Sequence, residues 1–99
     1  MKTATPILSP TAKELAKALS HIVRWRMLRE LSLGETREIE ELATVGGCSY
    51  DSGAKHLRVL EKLGLVTRGR GCLYQIPKRF VADPEKRIID YGTCLLRLD

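Results

Sequence analysis

The run from Ser49 to Ile76 constrains the fold of this 99-residue chain more than any other stretch. It opens with a serine, a residue that caps helices, and continues with Leu57 and Leu60 at the spacing of one buried helix face. Gly64 is placed to end that helix. Two short apolar stretches then flank the Arg-Gly-Arg-Gly segment at 68–71, whose composition is typical of a turn. The run therefore predicts one helix followed by a two-stranded hairpin with a basic tip.

Three further helical patterns precede this run. Apolar side chains recur every three or four residues over about 11–19, 21–32 and 35–45. Gly34 lies between the second and third patterns, and Gly46-Gly47 lies between the third pattern and the Ser49 helix. The order helix, short glycine turn, helix and hairpin is that of a winged helix-turn-helix. The sequence thus predicts an α+β fold with about four helices and a two-stranded wing over residues 10–80, preceded by a flexible arm at 1–9.

The last segment, residues 81–99, has a different pattern. After Asp83-Pro84, Cys94, Leu96 and Leu98 alternate with other residues, and Tyr91-Gly92 is suited to a turn. This pattern predicts a C-terminal β-hairpin extension within a single domain spanning 1–99. We expect the extension to contact a second copy of the chain, because a domain of this size has only a modest core.

Positive charge is concentrated on the predicted helix and hairpin. The chain has 17 Lys and Arg against 12 Asp and Glu, and residues 49–80 contain seven of the former against two of the latter. A basic helix and wing are placed where the phosphates of a nucleic acid would need neutralising. A solvated basic face without a partner is the alternative interpretation.

The remaining composition argues against several other classes. Cys48, Cys72 and Cys94 lack the paired, close spacing of disulfide frameworks or zinc sites, so we expect buried thiols, with a redox or metal sensor as the alternative. No nucleophile–base–acid set or phosphate-binding glycine loop is present, so neither an enzyme nor a cofactor is predicted. No apolar run has membrane-spanning length and no signal peptide is visible, which predicts a cytoplasmic protein without membrane contacts.

Three pieces of the sequence together resemble the ArsR-type winged-helix repressors. They are V-R-W-R-M-L-R-E-L at 23–31, E-I-E-E-L-A at 38–43 and S-Y-D-S-G-A-K-H-L-R-V-L-E-K-L-G-L-V at 49–66, and the similarity covers about residues 12–78. The resemblance implies a small regulator, with repression as the expected action, that binds double-stranded DNA as a homodimer at a palindromic operator. The metal-sensing ligands of that family are missing, because the third helix has no cysteine and the chain has only two histidines.

The resemblance also assigns roles by position. It implies that Tyr50, Ser52 and Lys55 face base edges. It implies that Ser49, His56 and Arg58 contact the DNA backbone or support such contacts, and that Arg68 and Arg70 lie on the wing. Lysine and hydroxyl side chains suit such contacts chemically.

The alternative function is a winged-helix docking or assembly module without specific DNA binding, because fold alone does not fix function. The basic residues of the predicted Ser49 helix (Lys55, Arg58 and Lys62) and the two wing arginines favour DNA, since a docking module would more often present an exposed apolar patch there.

Overall fold

Four α-helices and two small antiparallel sheets make up the computed structural model, which describes residues 11–92 and 94–98. The helices are α1 (Ala12–Leu19), α2 (Ile22–Leu31), α3 (Ile39–Gly46) and α4 (Tyr50–Lys62). The strands are β1 (Arg37–Glu38), β2 (Thr67–Arg68), β3 (Leu73–Gln75), β4 (Val81–Asp83), β5 (Ile88–Asp90) and β6 (Leu95–Arg97). The predicted α+β class with four helices is therefore confirmed, and the predicted arm at 1–9 lies outside the described residues.

The first sheet has the strand order β1-β3-β2 and includes a strand that the sequence did not predict. We predicted helix over 35–45, but α3 begins only at Ile39, because residues 37–38 pair antiparallel with 73–74. The first amide of α3 takes part in this closure, since the Ile39 N–H donates to the Cys72 carbonyl at 3.1 Å. Arg37 is held in the extended stretch by carboxylates, Glu30 at 3.2 Å and Glu35 at 2.8 Å.

The second sheet has three strands in the order β4-β5-β6, so it adds one strand to the predicted C-terminal hairpin. The β5–β6 hairpin lies where the alternation placed it, and Gly92, with φ of 87°, lies in the connection between its strands. Tyr91 also lies in this connection, where its N–H donates to the Cys94 carbonyl at 3.0 Å, so the predicted Tyr91-Gly92 turn is confirmed. The Tyr91 side chain is fully buried, and its hydroxyl donates to the Leu65 carbonyl at 2.8 Å.

One hydrophobic core joins the helices to the second sheet. Leucines and a methionine of α2, α3 and α4 pack in the same cluster as the inward residues of the second sheet. The fully buried helical members include Met27, Leu28, Leu42, Leu57 and Leu60, and the C-terminal segment contributes Ile89, Leu96 and, just after β6, Leu98. The C-terminal segment is therefore part of the domain's own core.

Helices α3 and α4 approach closely at Gly53. A Cβ atom placed on Gly53 would lie 2.9 Å from the Cβ of Ala43, which is closer than two such carbons pack. Between the two helices, Gly47 adopts φ of 79°, a left-handed conformation that glycine accepts without strain. The short turn and this contact together fix the direction of α4 relative to α3.

Candidate nucleic-acid interface

An exposed basic row follows the outer face of α4. Lys55, Arg58 and Lys62, spaced three and four residues apart, lie opposite the buried Leu57 and Leu60. With the other described residues, none of these three cations forms an ion pair or a side-chain hydrogen bond. The row therefore presents three positive charges to solvent without an ion-pair partner among the described residues.

The start of α4 is fixed by its cap and by a contact with the hairpin. Ser49 accepts the Ser52 N–H at 3.2 Å through its hydroxyl oxygen, the usual N-cap bond. The Tyr50 hydroxyl lies 3.7 Å from the Cys72 sulfur, just before β3. This contact with the Cys72 thiol raises the pKa of Tyr50, so the phenol remains a neutral donor and acceptor. The contact also places the hairpin tip beside the first turn of α4.

The hairpin tip has one arginine that holds the turn and one that projects from it. The Arg68 Nε donates to the Gly71 carbonyl at 3.1 Å, and the Gly69 N–H donates to the Leu73 carbonyl at 2.8 Å. The exposed Arg70 makes no side-chain hydrogen bond or ion pair with another described residue. Arg70 is thus the free cation of the tip, whereas Arg68 also shapes it.

His56 lies on the side of α4 that faces the start of α2. Its Nδ1 accepts a hydrogen bond from the Arg24 Nε at 3.1 Å, and its ring meets the His21 ring edge-on with centroids 4.2 Å apart. Partial burial lowers the pKa of His56, and the charges of His21 and Arg24 lower it further. The imidazole is therefore neutral at pH 7, with Nδ1 as an acceptor, and it links α4 to α2.

The eight predicted site residues thus divide into two groups. Exposed and without described side-chain partners are Lys55, Arg58 and Arg70, whereas Ser49, Tyr50, Ser52, His56 and Arg68 are half-buried or already engaged within the chain. Sequence reasoning left Lys62 out of the site, although its spacing of four residues from Arg58 was a usable signal. It also missed Arg24 and Cys72, whose positions beside α4 have no local signal.

The thiols are free, and one of them contradicts the expectation of burial. Cys48 and Cys94 are half-buried against the core, but Cys72 is exposed, because it lies at the hairpin tip beyond the reach of the core. The prediction of a buried thiol is therefore wrong for Cys72.

Comparison of the chain with protein-family models, curated proteins and solved structures gives no match. Within residues 11–92 and 94–98, no three His, Cys, Asp or Glu side chains come together in a way that could hold a metal ion. Among the described helices, none has the length and apolar character needed to cross a membrane.

Proposed function

We propose that this protein is a winged helix-turn-helix transcriptional regulator of the ArsR type that binds double-stranded DNA as a homodimer. The observation that carries the proposal is the row of cations on α4 that have no ion-pair partner among the described residues, with the free Arg70 of the hairpin tip placed beside the start of that helix by the Tyr50–Cys72 contact. Cations on two neighbouring elements suit the regularly spaced phosphates of a duplex.

The dimensions of α4 support its role as the helix in the major groove. Its 13 residues give a length of about 20 Å at 1.5 Å per residue, and the groove is about 12 Å wide. The turn at Gly47 joins α3 to α4 as in a helix-turn-helix. The hairpin of β2 and β3 then serves as the wing.

Each site residue has a place in this mechanism. Lys55 donates to guanine acceptors, and the hydroxyls of Tyr50 and Ser52 contact bases. Arg58, Lys62 and Arg70 neutralise phosphates and supply the salt-sensitive part of the affinity. The supporting residues Ser49, His56 and Arg68 cap α4, link it to α2 and hold the wing tip.

The proposed dimer places two α4 helices in successive major grooves, roughly 34–36 Å apart, on a palindromic operator. We propose subunit contacts from the C-terminal sheet, where Leu95 of the edge strand β6 is 61% exposed. Binding would block transcription in the cytoplasm.

Exposed apolar side chains do not favour the docking-module alternative at this surface. The large exposed hydrophobic side chains among the described residues are Ile22, Val45, Tyr50 and Leu95. Tyr50 alone belongs to the candidate interface, and its hydroxyl is suited to polar contacts as well. A basic surface with one amphipathic aromatic suits DNA better than an apolar protein partner.

Selection from random duplex DNA tests the proposal directly. The full chain is mixed with a random duplex pool at moderate salt, and the retained DNA is sequenced. We expect enrichment of a motif with two-fold symmetry, because two identical α4 helices read the two half-sites. Retention without any enriched motif would refute operator recognition, and no retention at low salt would refute DNA binding altogether.

Two alanine variants separate reading of bases from neutralisation of phosphates. Lys55→Ala should relax sequence preference at one position in each half-site, at a cost of about 1–3 kcal/mol on the preferred sequence. Arg70→Ala should weaken binding equally on all sequences and lower the slope of log affinity against log salt by about 1. Binding is measured by fluorescence anisotropy on the selected duplex and a scrambled one.

Lys86→Ala is the matched control, because it removes one exposed cation from the β4–β5 turn, outside the interface. It should leave both affinity and sequence preference within about twofold of the wild type. Equal and sequence-independent losses for Lys55→Ala and Arg70→Ala would contradict the roles assigned to them.

A further inference from the structure

An open groove lies between α1, α2 and the second half of α4. Its floor is apolar and consists of Ala18, Val59 and Leu63. Three cations surround this floor, one from each helix: Lys17, Arg24 and Lys62. Lys62 is shared with the basic row, but the rest of the groove lies apart from the start of α4 and from the hairpin tip.

The positive charge of this groove is not neutralised within the described chain. Lys17 and Lys62 have no described side-chain partner, and Arg24 uses only its Nε, for His56. The acid beside the groove, Glu14, is engaged at the start of α1, where its Oε1 accepts the Thr11 N–H at 2.9 Å and faces the Thr11 hydroxyl at 3.2 Å. Three cations around an apolar floor thus face one carboxylate that is already hydrogen-bonded.

This combination selects a chemical class of ligand. The cations favour a carboxylate or phosphate head group, and Arg24 retains the two terminal guanidinium nitrogens that form paired bonds with such groups. The floor favours a short hydrocarbon chain, which would cover apolar surface that a DNA phosphate would leave exposed. Charge and floor together fit one amphipathic anion.

Arg24 also connects the groove to α4. The same guanidinium that lines the groove donates to His56 Nδ1 at 3.1 Å. A head group bound to Arg24 neutralises a charge that faces His56. Binding in the groove therefore changes the electrostatic surroundings of a residue on α4, the helix of the candidate interface.

We propose that this groove is an effector site for a small amphipathic anion, a carboxylate or phosphate ester with a short alkyl chain, and that Arg24 transmits its binding to His56. The binding itself is independent of the proposed function, whereas an effect on operator affinity rests on it.

Octanoate tests the site, with acetate as the probe for charge alone and octanol as the probe for the alkyl chain alone. Each is titrated into the isotope-labelled full chain and followed by NMR. Octanoate should produce saturable shifts at the amides of Ala18, Val59 and Leu63, and bind at least about tenfold more tightly than either half-probe because both parts contribute. The pKa of His56, read from its ring resonances, should rise at saturation because the charge on Arg24 is neutralised.

Variants check the cations. Lys17→Gln combined with Lys62→Gln should weaken octanoate binding by about tenfold or more, since two of the three charges are lost, and both side chains are exposed enough for the fold to survive. Lys86→Gln, which removes a cation elsewhere, should bind octanoate like the wild type.

Three results would overturn the proposal. Octanol binding as tightly as octanoate would mean that the cations have no role, and unchanged octanoate affinity in the double variant would place the anion elsewhere. An unchanged His56 titration at saturation would refute transmission through Arg24. These measurements contain no DNA, so their failure leaves operator binding to be judged by the duplex selection alone.

Discussion

Replacing Gly53 by valine should lower the free energy of unfolding by about 3 kcal/mol or more, a large share of the total of about 5–15 kcal/mol that is usual for a domain of this size. The added Cβ would lie 2.9 Å from the Ala43 Cβ and 3.3 Å from the Ala43 Cα, so it meets the α3 backbone as well as a side chain. Neither neighbour can rotate away, and the two γ-carbons of valine need still more room. The helices α3 and α4 must separate, which opens the core between them.

Urea denaturation followed by far-ultraviolet circular dichroism measures this loss. Gly69→Val is the matched control, because a Cβ on Gly69 would meet only the Leu73 carbonyl oxygen, at an ordinary 3.9 Å. On the exposed hairpin this change should cost less than about 0.5 kcal/mol. A Gly53→Val variant as stable as Gly69→Val would refute the close approach of α3 and α4.

Truncation of Tyr91 to alanine should cost about 3–5 kcal/mol, the usual effect of removing a large aromatic ring from a core. The ring is fully buried with its centroid 4.9 Å from that of Phe80, and its hydroxyl donates to the Leu65 carbonyl. Tyr91→Phe keeps the ring and removes only the donor, so it should cost about 1–3 kcal/mol, because the Leu65 carbonyl loses a hydrogen bond in the interior. Tyr50→Ala is the control, since that tyrosine is 49% exposed, and it should cost less than about 1 kcal/mol.

Alkaline pH adds a second measurement on the same residue. Burial raises the pKa of Tyr91 above the ordinary value of 10.0. The folded state therefore keeps a proton that the unfolded state loses, and stability from this group is complete below pH 10 and decreases as the pH rises above it. Tyr91→Phe should lose that share of the alkaline sensitivity. A Tyr91→Ala variant within about 1 kcal/mol of the wild type would instead mean that the C-terminal sheet contributes little to the core.

The parts of the fold predicted correctly from the sequence depend on neighbours along the chain. The span of α4 follows from the Ser49 cap, its leucine spacing and the glycine after Leu63, all within one helix. Strand β1 was missed because Arg37 and Glu38 have a helix-like composition and become a strand only by pairing with 73–74. The burial of Tyr91 was missed for a related reason, since its partner Leu65 lies far away in the sequence.

In the candidate interface, too, features set by neighbours along the chain were predicted and features set by distant partners were not. Helical spacing alone predicted that Lys55 and Arg58 are exposed. The links of His56 to Arg24 and of Tyr50 to Cys72 span 32 and 22 residues, so no local pattern predicts them. Such links decide whether a side chain of the interface is available to a partner or is already hydrogen-bonded within the protein. Arg24, which the sequence predicted only as a helix-surface cation, is both: its Nε is occupied by His56, and its two terminal nitrogens are available to a partner.

The pairing of β1 with β3 has a consequence for how the domain assembles. It joins residues 37–38 to 73–74, so α3, α4 and the β2 strand all lie within one closed loop of the chain. Closing a loop of that length costs conformational entropy before the contacts inside it are complete, which favours an all-or-none transition. The helix and the hairpin of the candidate interface are then formed together or lost together. In such a transition the fraction of molecules with a complete interface follows the folded fraction, and a change that destabilises the fold lowers the two together.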